Sequence, residues 1–229
     1  MVIGGLQKFS LVDYPGKTCA IIFTRGCNFR CRYCHNPELV IPEQYTPEIP
    51  LKVVFDFLET RRGKLDAVEI TGGEPTQHAD LIGVISQIKD MGFLVKLDSN
   101  GSRPEVLKTA IDQKLVDYLA MDVKAPLKDY VKIMGWQVPA EKLQQSISLI
   151  MNSGIDYEFR TTIVKSLTSK DDLREIAKTI KGAKRYFLQK FIPAKLVDSS
   201  CNNEVSYSDR ELQELAQELM RYVVFCGVR

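Results

Sequence analysis

Histidine is scarce in this sequence, and so is any excess of charge of one sign. The 229 residues include two histidines, His35 and His78. A Ser-His-Asp hydrolase needs a histidine as its base, so this class of enzyme is disfavoured. Thirty-one basic and twenty-nine acidic residues leave a net charge of +2. Proteins that track nucleic-acid phosphates concentrate positive charge, and we therefore expect no nucleic-acid partner.

Long apolar runs are also missing. No stretch approaches the roughly 18 apolar residues that a membrane helix needs. Residues 1–17 lack the basic start and apolar run of a secretory signal. We therefore expect a cytoplasmic protein with no membrane partner. Hydrophobic residues at 45% and charged residues at 26% are ordinary for a globular protein with a sizeable core.

Six short apolar runs predict buried strands that alternate with helices. The runs cover residues 18–24, 67–71, 93–98, 118–123, 157–164 and 186–192. Apolar residues recur at helical spacing over residues 51–58, 81–88, 106–111 and 143–150. A fifth helix is predicted over residues 170–181, and a sixth begins at Ser208, where Glu211 gives the pattern of a capping box. This alternation predicts an α/β fold with parallel strands joined by right-handed crossovers.

The number of strand–helix units limits the architecture. Six units are too few for a closed eight-stranded barrel, yet polar residues at the carboxyl ends of strands are typical of barrel enzymes. A partial barrel and an open doubly wound sheet both fit this pattern. We predict a single-domain partial (βα)6 barrel over residues 1–229, with an N-terminal extension. Residues 36–50, which contain four prolines, are predicted to form an accessory loop.

Three of the six cysteines lie within eight residues. Cys27, Cys31 and Cys34 directly follow the first predicted strand, where a short loop could wrap three thiolates around one centre. This spacing suits a metal better than a disulfide framework. An iron–sulfur cubane normally takes four thiolates, so three would leave one iron open to a ligand from outside the protein. An open position indicates catalysis.

Zinc is the alternative interpretation of these cysteines. With His35 they make a Cys3His set, a standard structural zinc combination. However, His35 directly follows a ligand, and adjacent residues chelate one tetrahedral ion awkwardly. No second ligand pair of the zinc-ribbon type follows downstream. A zinc-stabilised interaction module is therefore retained as the alternative from another class of protein.

The cysteine spacing resembles the signature of the radical S-adenosylmethionine superfamily, with an aromatic residue, Tyr33, before the last cysteine. Residues 11–27 and 33–37 are similar to the opening of the glycyl-radical-enzyme activases. They are most similar to the activating proteins of anaerobic ribonucleoside-triphosphate reductase, and the pyruvate formate-lyase activating enzyme is a relative. The resemblance implies a 4Fe-4S cluster on the three cysteines, and S-adenosylmethionine as its partner cofactor. It also implies an electron donor, flavodoxin or ferredoxin, and a glycyl-radical enzyme as substrate.

The same resemblance implies contacts to S-adenosylmethionine at the ends of the next strands. The turn Gly72-Gly73-Glu74-Pro75 would hold the amino group of the methionine moiety. A carboxylate is a suitable acceptor for an ammonium, and glycines let a backbone approach a ligand closely. The other expected contacts are Tyr33 to adenine, Asp98, Ser99 and Asn100 to the ribose, and the charged residues Asp122, Lys124 and Arg160.

Each of these residues also has a plainer interpretation. The Gly-Gly-Glu-Pro turn could be a generic loop, and Tyr33 could pack within its own loop. Asp98, Ser99 and Asn100 are ordinary turn residues. A charge in an apolar strand is costly unless paired, so we expect Asp122, Lys124 and Arg160 to meet one another or a ligand. No residue is assigned a catalytic role, because the reaction would occur on the cofactor.

The identity of the substrate has an alternative within the superfamily. The chain could instead be a radical enzyme that acts on a small molecule, such as 7-carboxy-7-deazaguanine synthase. The short chain leaves little to cover the open side of the sheet, which favours a macromolecular substrate. The sequence assigns no role to Cys19, Cys201, Cys226 or Trp136.

Overall fold

The computed structural model describes residues 1–131 and 139–229, so Trp136 lies outside the described residues. Within them, one eight-stranded sheet has its strands in chain order, β1 to β8. The strands are β1 (Ile3–Ser10), β2 (Cys19–Thr24), β3 (Ala67–Gly72), β4 (Leu94–Ser99), β5 (Tyr118–Asp122), β6 (Asp156–Ile163), β7 (Tyr186–Lys190) and β8 (Cys226–Val228). β1 pairs antiparallel with β2, and the other neighbouring strands are parallel.

The described helices lie between the parallel strands. They are α1 (Pro37–Val40), α2 (Leu51–Glu59), α3 (Leu81–Asp90), α4 (Pro104–Asp112), α5 (Ala140–Asn152), α6 (Lys170–Thr179) and α7 (Asp209–Leu219). The capping box predicted at Ser208 and Glu211 begins α7, and a second one begins α6 at Ser169. No helix among residues 1–131 and 139–229 is long and apolar enough to cross a membrane.

The strand order decides between the two predicted architectures. A doubly wound sheet reverses its direction of winding at a switch point. Here the order follows the chain from β1 to β8 without reversal, and these two strands form the edges of the sheet. The fold is the predicted partial barrel, in which β2 to β7 are the six predicted strands.

Three segments differ from the prediction. The N-terminal extension is a full strand, β1, and the short strand β8 at residues 226–228 was not predicted at all. The expected accessory loop at residues 36–50 contains α1 and a 3-10 helix, Pro42–Gln44, and Ile49 bridges Ile3 of β1. Proline favours such short helices at their first turn, where its missing N–H is no loss.

The two faces of the sheet have different chemistry because successive strand residues point to opposite sides. The face toward the helices is apolar, and its buried residues include Ile22, Ile70, Leu97, Phe159 and Leu188. The opposite face carries charges in register across neighbouring strands. Glu69 of β3 stands opposite Lys96 of β4, and Asp122 of β5 stands opposite Arg160 of β6. The carboxyl ends of the strands are therefore polar on this side.

The apolar face gives a prediction on stability. Leu58 of α2 is fully buried in the core, whereas Val53 of the same helix is half exposed. Leu58→Ala should lower the free energy of unfolding by about 2 to 5 kcal/mol, since it removes buried methyl groups and leaves a cavity. Val53→Ala, the matched control, should change it by less than about 0.5 kcal/mol. Anaerobic urea unfolding measures both, and equal losses would contradict this account of the core.

Candidate active site

A cavity of about 210 Å³ lies at the carboxyl ends of β2 to β6. Parallel strands end at the same edge, so residues distant in sequence meet there. The cavity is lined by every site residue predicted from the sequence, namely Cys27, Cys31, Tyr33, Cys34, Gly72, Gly73, Glu74, Pro75, Asp98, Ser99, Asn100, Asp122, Lys124 and Arg160. The lining also includes Phe29, Asn36, Thr71 and Thr162, to which no role was assigned from the sequence, and His35, the fourth ligand of the zinc alternative.

Residues 27–34, the cysteine loop, are anchored on both sides. Phe29 is buried and packs edge-on against Tyr130, with 6.3 Å between the ring centroids. On the other side, Arg32 pairs with Asp198 at 2.8 Å, and the amide of Val197 donates to the carbonyl of Cys34 at 3.0 Å. The loop is therefore held in place by contacts outside its own sequence.

Burial is the largest influence on the pKa of the three thiols, and nearby carboxylates such as Glu74 and Asp122 act in the same direction. Burial raises the pKa of Cys27 to about 12 and that of Cys31 to about 11, and it also raises the pKa of Cys34. The ammonium of Lys124 acts in the opposite direction on the pKa of all three. Thiols in such a site are protonated unless a metal replaces the proton, because the thiolate is the form that ligates.

The arrangement of donors fits a cluster better than a single zinc ion. In the described ranges 1–131 and 139–229, no three His, Cys, Asp or Glu side chains converge as ligands of one metal ion. A tetrahedral zinc site requires that convergence. A cubane gives each thiolate its own iron, so three thiols spread around one cavity are the expected donor set. The ring of His35, the fourth donor of the zinc alternative, stacks on Phe191 with 5.4 Å between centroids.

The turn after β3 lies directly against the end of β2. A Cβ on Gly73 would lie 2.1 Å from the carbonyl oxygen of Gly26, and one on Gly72, whose φ is +112°, would lie 2.5 Å from the amide nitrogen of Thr24. Two backbone hydrogen bonds of 2.8 Å join the same two segments. The amide of Gly73 donates to the carbonyl of Thr24, and the amide of Glu74 donates to the carbonyl of Gly26. The sequence analysis attributed these glycines to close approach of a ligand. The structure shows that the chain's own backbone is the near neighbour.

The Glu74 carboxylate links the turns after β3 and β4. Its Oε1 accepts from the amide and hydroxyl of Thr76 at 3.1 and 2.5 Å and from the Ser99 hydroxyl at 2.9 Å. Its Oε2 accepts from the amide of Asn100 at 2.7 Å. Burial raises the pKa of Glu74, and these donors act in the opposite direction. One carboxylate thus fixes two of the turns that line the cavity.

Six buried or half-buried charges of alternating sign cross the polar face of the sheet. In order they are Glu69, Lys96, Asp98, Arg160, Asp122 and Lys124, and neighbouring charged atoms are 2.6 to 3.0 Å apart. Each of these six ionisable side chains therefore lies beside one of the opposite kind, which is how buried charges are tolerated. The expectation that Asp122, Lys124 and Arg160 meet is confirmed. Glu69 and Lys96 were missed, although both are charges inside apolar strand runs.

Comparison with known proteins defines the class of this chain. The profile of the radical S-adenosylmethionine superfamily matches residues 21–181, and the chain belongs to that superfamily. Its cofactors are a 4Fe-4S cluster and S-adenosylmethionine, which confirms the cofactors expected from the cysteine loop. The chain is accordingly a radical S-adenosylmethionine enzyme.

Two relatives indicate which kind of radical S-adenosylmethionine enzyme the chain resembles. A protein of Methanocaldococcus jannaschii, assigned by name to the glycyl-radical enzyme activating enzymes, is 33% identical over 97% of this chain and 93% of its own length. A pyruvate formate-lyase-activating enzyme of Clostridium pasteurianum is 27% identical over 84% of this chain and 83% of its own length. The resemblance to activating enzymes is thereby confirmed.

A solved structure supports the fold. Streptococcus suis SuiB bound to S-adenosylmethionine superposes with a TM-score of 0.68 at 15% identity. The match covers 91% of this chain but about half of that one, 49%. At this identity the likeness concerns the partial barrel alone.

The chain of charges gives a prediction on the pH dependence of stability. Burial raises the pKa of Glu69 from 4.5 to about 8. A carboxyl that holds its proton more tightly when folded makes stability fall as pH rises between these two values. Glu69→Gln removes this titration. Between pH 5 and pH 8 the free energy of unfolding of the variant should therefore fall by about 1 to 3 kcal/mol less than that of the unchanged chain.

The control for this comparison is Asp56→Asn, which changes an exposed carboxylate paired with Lys52 on α2. It should leave the slope of stability against pH unchanged. Urea unfolding at each pH, without oxygen, supplies the data. If Glu69→Gln and the unchanged chain lose stability in parallel, the raised pKa is wrong.

Proposed function

We propose that this chain activates a glycyl-radical enzyme, and that its partner is an anaerobic ribonucleoside-triphosphate reductase. The observation that carries the proposal is the single cavity in which three thiols meet the polar ends of β3 to β6. Similarity over nearly the whole chain to a protein named as a glycyl-radical enzyme activating enzyme supports the choice of substrate class. The similarity of residues 11–37 to the reductase activating proteins supports the particular partner.

In this proposal Cys27, Cys31 and Cys34 hold the cluster, since they supply three thiols to one cavity. When bound, the cluster would supply the electron for reductive cleavage of S-adenosylmethionine. That cleavage would lead to removal of a hydrogen atom from a glycine Cα of the partner, with methionine and 5′-deoxyadenosine as products. The chain's own task is to orient the cofactor and exclude water. Flavodoxin or ferredoxin is proposed as the electron donor.

The acidic and polar residues at the strand ends hold S-adenosylmethionine in this proposal. The amide of Asn100 is the donor to Oε2 of Glu74, which leaves that oxygen capacity to accept from the amino group of the methionine moiety. Gly72, Gly73 and Pro75 line the same cavity as Glu74.

The remaining contacts divide between the nucleoside and the charged part of the cofactor. Asp98, Ser99 and Asn100 are assigned to the ribose. Tyr33 is assigned to the adenine, and its buried hydroxyl has no hydrogen-bond partner in the described residues. Asp122, Lys124 and Arg160 form the charged wall toward which the cofactor's own charges are held.

A second cavity supports a protein substrate. Its volume is about 400 Å³, and it shares Thr71, Asp98 and Arg160 with the first cavity. Gln7 of β1 and Arg229, next to β8, also line it, so it is bordered by both edges of the sheet. A partial barrel open between its edges leaves room for an extended segment of a partner. Residues 1–229 act as one domain in this proposal, because one sheet joins both edges.

The cysteine assignment gives a prediction on composition. Anaerobic reconstitution should yield about four irons and four acid-labile sulfides per chain, as a cubane requires. Cys31→Ala should lose this content because it removes one of the three thiolates. Cys201→Ala, which changes a buried cysteine outside the cavity, should retain it. Stoichiometric zinc without acid-labile sulfide would contradict the cluster and favour the interaction module.

The proposed substrate gives a second prediction. Mixed anaerobically with reductant, S-adenosylmethionine and anaerobic ribonucleotide reductase, the chain should produce a glycyl-radical doublet in electron paramagnetic resonance. 5′-Deoxyadenosine should form in proportion to the radical, because each hydrogen transfer consumes one cofactor. A reductase with its acceptor glycine changed to alanine is the control and should give no doublet. If glycyl-radical proteins give no signal while a small molecule drives stoichiometric cleavage, the chain is a small-molecule enzyme instead.

A further inference from the structure

Asn28 connects the cysteine loop to the segment after β4. It lies between Cys27 and Phe29, but it does not line the cavity. Its Nδ2 donates to the Ser102 hydroxyl at 2.9 Å, and its Oδ1 accepts from Nδ2 of Asn100 at 2.9 Å. Asn100 and Ser102 are each 5% exposed, whereas Asn28 is partly exposed, so both hydrogen bonds are partly shielded from water.

The direction of these hydrogen bonds is fixed by a third one. The amide of Ser102 donates to Oδ1 of Asn100 at 2.9 Å, so the oxygen of that side chain faces its own segment. The Asn100 nitrogen must then face Asn28, which presents its oxygen in return. Both polar ends of Asn28 therefore have defined partners.

Asn28 also closes a ring of hydrogen bonds around the site. The amide of Glu74 donates to the carbonyl of Gly26 at 2.8 Å, and Oε2 of Glu74 accepts from the amide of Asn100 at 2.7 Å. Asn100 then bonds to Asn28, two residues from Gly26 on the same loop. The ring joins the loops that follow β2, β3 and β4.

The segment after β4 has a further anchor beneath it. The Ser146 hydroxyl of α5 donates to the carbonyl of Gly101 at 2.6 Å. The Gly101 amide donates in turn to the Ser99 hydroxyl at 3.0 Å. This segment is therefore rigidly placed, and Asn28 ties the cysteine loop to it.

We infer that Asn28 is a positioning residue that sets the cluster-holding loop relative to the segment that holds the nucleoside of S-adenosylmethionine. This inference rests on the proposed assignment of Cys27, Cys31, Cys34 and residues 98–100. Asn28 contributes no ligand to either cofactor. Its effect is on the affinity for S-adenosylmethionine, which must contact the cysteine loop and the segment after β4 at the same time.

The test separates cluster assembly from cofactor binding in the reconstituted chain. Asn28→Ala removes both hydrogen bonds but leaves the three thiols, so iron and sulfide content should match the unchanged chain. Binding of S-adenosylmethionine, measured by anaerobic calorimetry, should weaken about tenfold, the equivalent of about 1.4 kcal/mol. The change that S-adenosylmethionine causes in the electron paramagnetic resonance spectrum of the reduced cluster should become smaller.

Two variants serve as rescue and control. Asn28→Asp keeps an acceptor for Asn100, and the Ser102 hydroxyl can rotate to donate to it. It should restore binding to within about threefold of the unchanged chain. Asn152→Ala removes an exposed asparagine whose Nδ2 donates to the carbonyl of Ser148 on α5, and it should change nothing.

The inference is overturned if Asn28→Ala binds S-adenosylmethionine with unchanged affinity and an unchanged spectral response. It is also overturned if the variant loses iron and sulfide, since Asn28 would then only hold the cysteine loop together. If Asn28→Ala fails to fold, Ser102→Ala, which removes one of the two bonds, takes its place under the same criteria. These measurements need no partner protein. A glycyl-radical assay that gives no signal would therefore refute the proposed substrate but would not affect the inference on Asn28.

Discussion

The contact between the turn after β3 and the end of β2 is the constraint on which the site depends. A Cβ on Gly73 would lie 2.1 Å from the Gly26 carbonyl oxygen, and no side chain larger than hydrogen fits that gap without moving one backbone. The approach places Glu74 beside the start of the cysteine loop, where its amide bonds to Gly26. The Glu74 carboxylate then binds the segment after β4. The geometry of three loops follows from one backbone contact.

The polar face of the sheet solves a second problem, the burial of charge near the cavity. Lys96 is 2% exposed, yet its ammonium lies between two carboxylates, Glu69 at 2.6 Å and Asp98 at 2.8 Å. Arg160 continues the alternation between Asp98 and Asp122. Buried charges are tolerated when each has a partner, and the register of parallel strands supplies those partners at fixed positions. The charges in the wall of the cavity are therefore paired between strands.

The six parallel strands could be predicted from local apolar patterns, and the assigned cavity residues from the resemblance of short motifs to a known family. The cysteine spacing, the Gly-Gly-Glu-Pro turn and the apolar runs are each readable within a few residues. β8 was missed because three residues, Cys226–Val228, carry no period of their own and are ordered by pairing with β7. Asn28 was missed because its partners are 72 and 74 residues away. Contacts at such a distance leave no trace in local composition.

The central proposal is that one cavity would hold both a cluster, on Cys27, Cys31 and Cys34, and S-adenosylmethionine. Electron–nuclear double resonance on the reduced, reconstituted chain, with S-adenosylmethionine labelled with ¹³C in its carboxylate, tests this directly. The account predicts a hyperfine coupling between the labelled carboxylate and the cluster, because both would lie in the same cavity of about 210 Å³. A bound cofactor whose label shows no coupling to the cluster would contradict it.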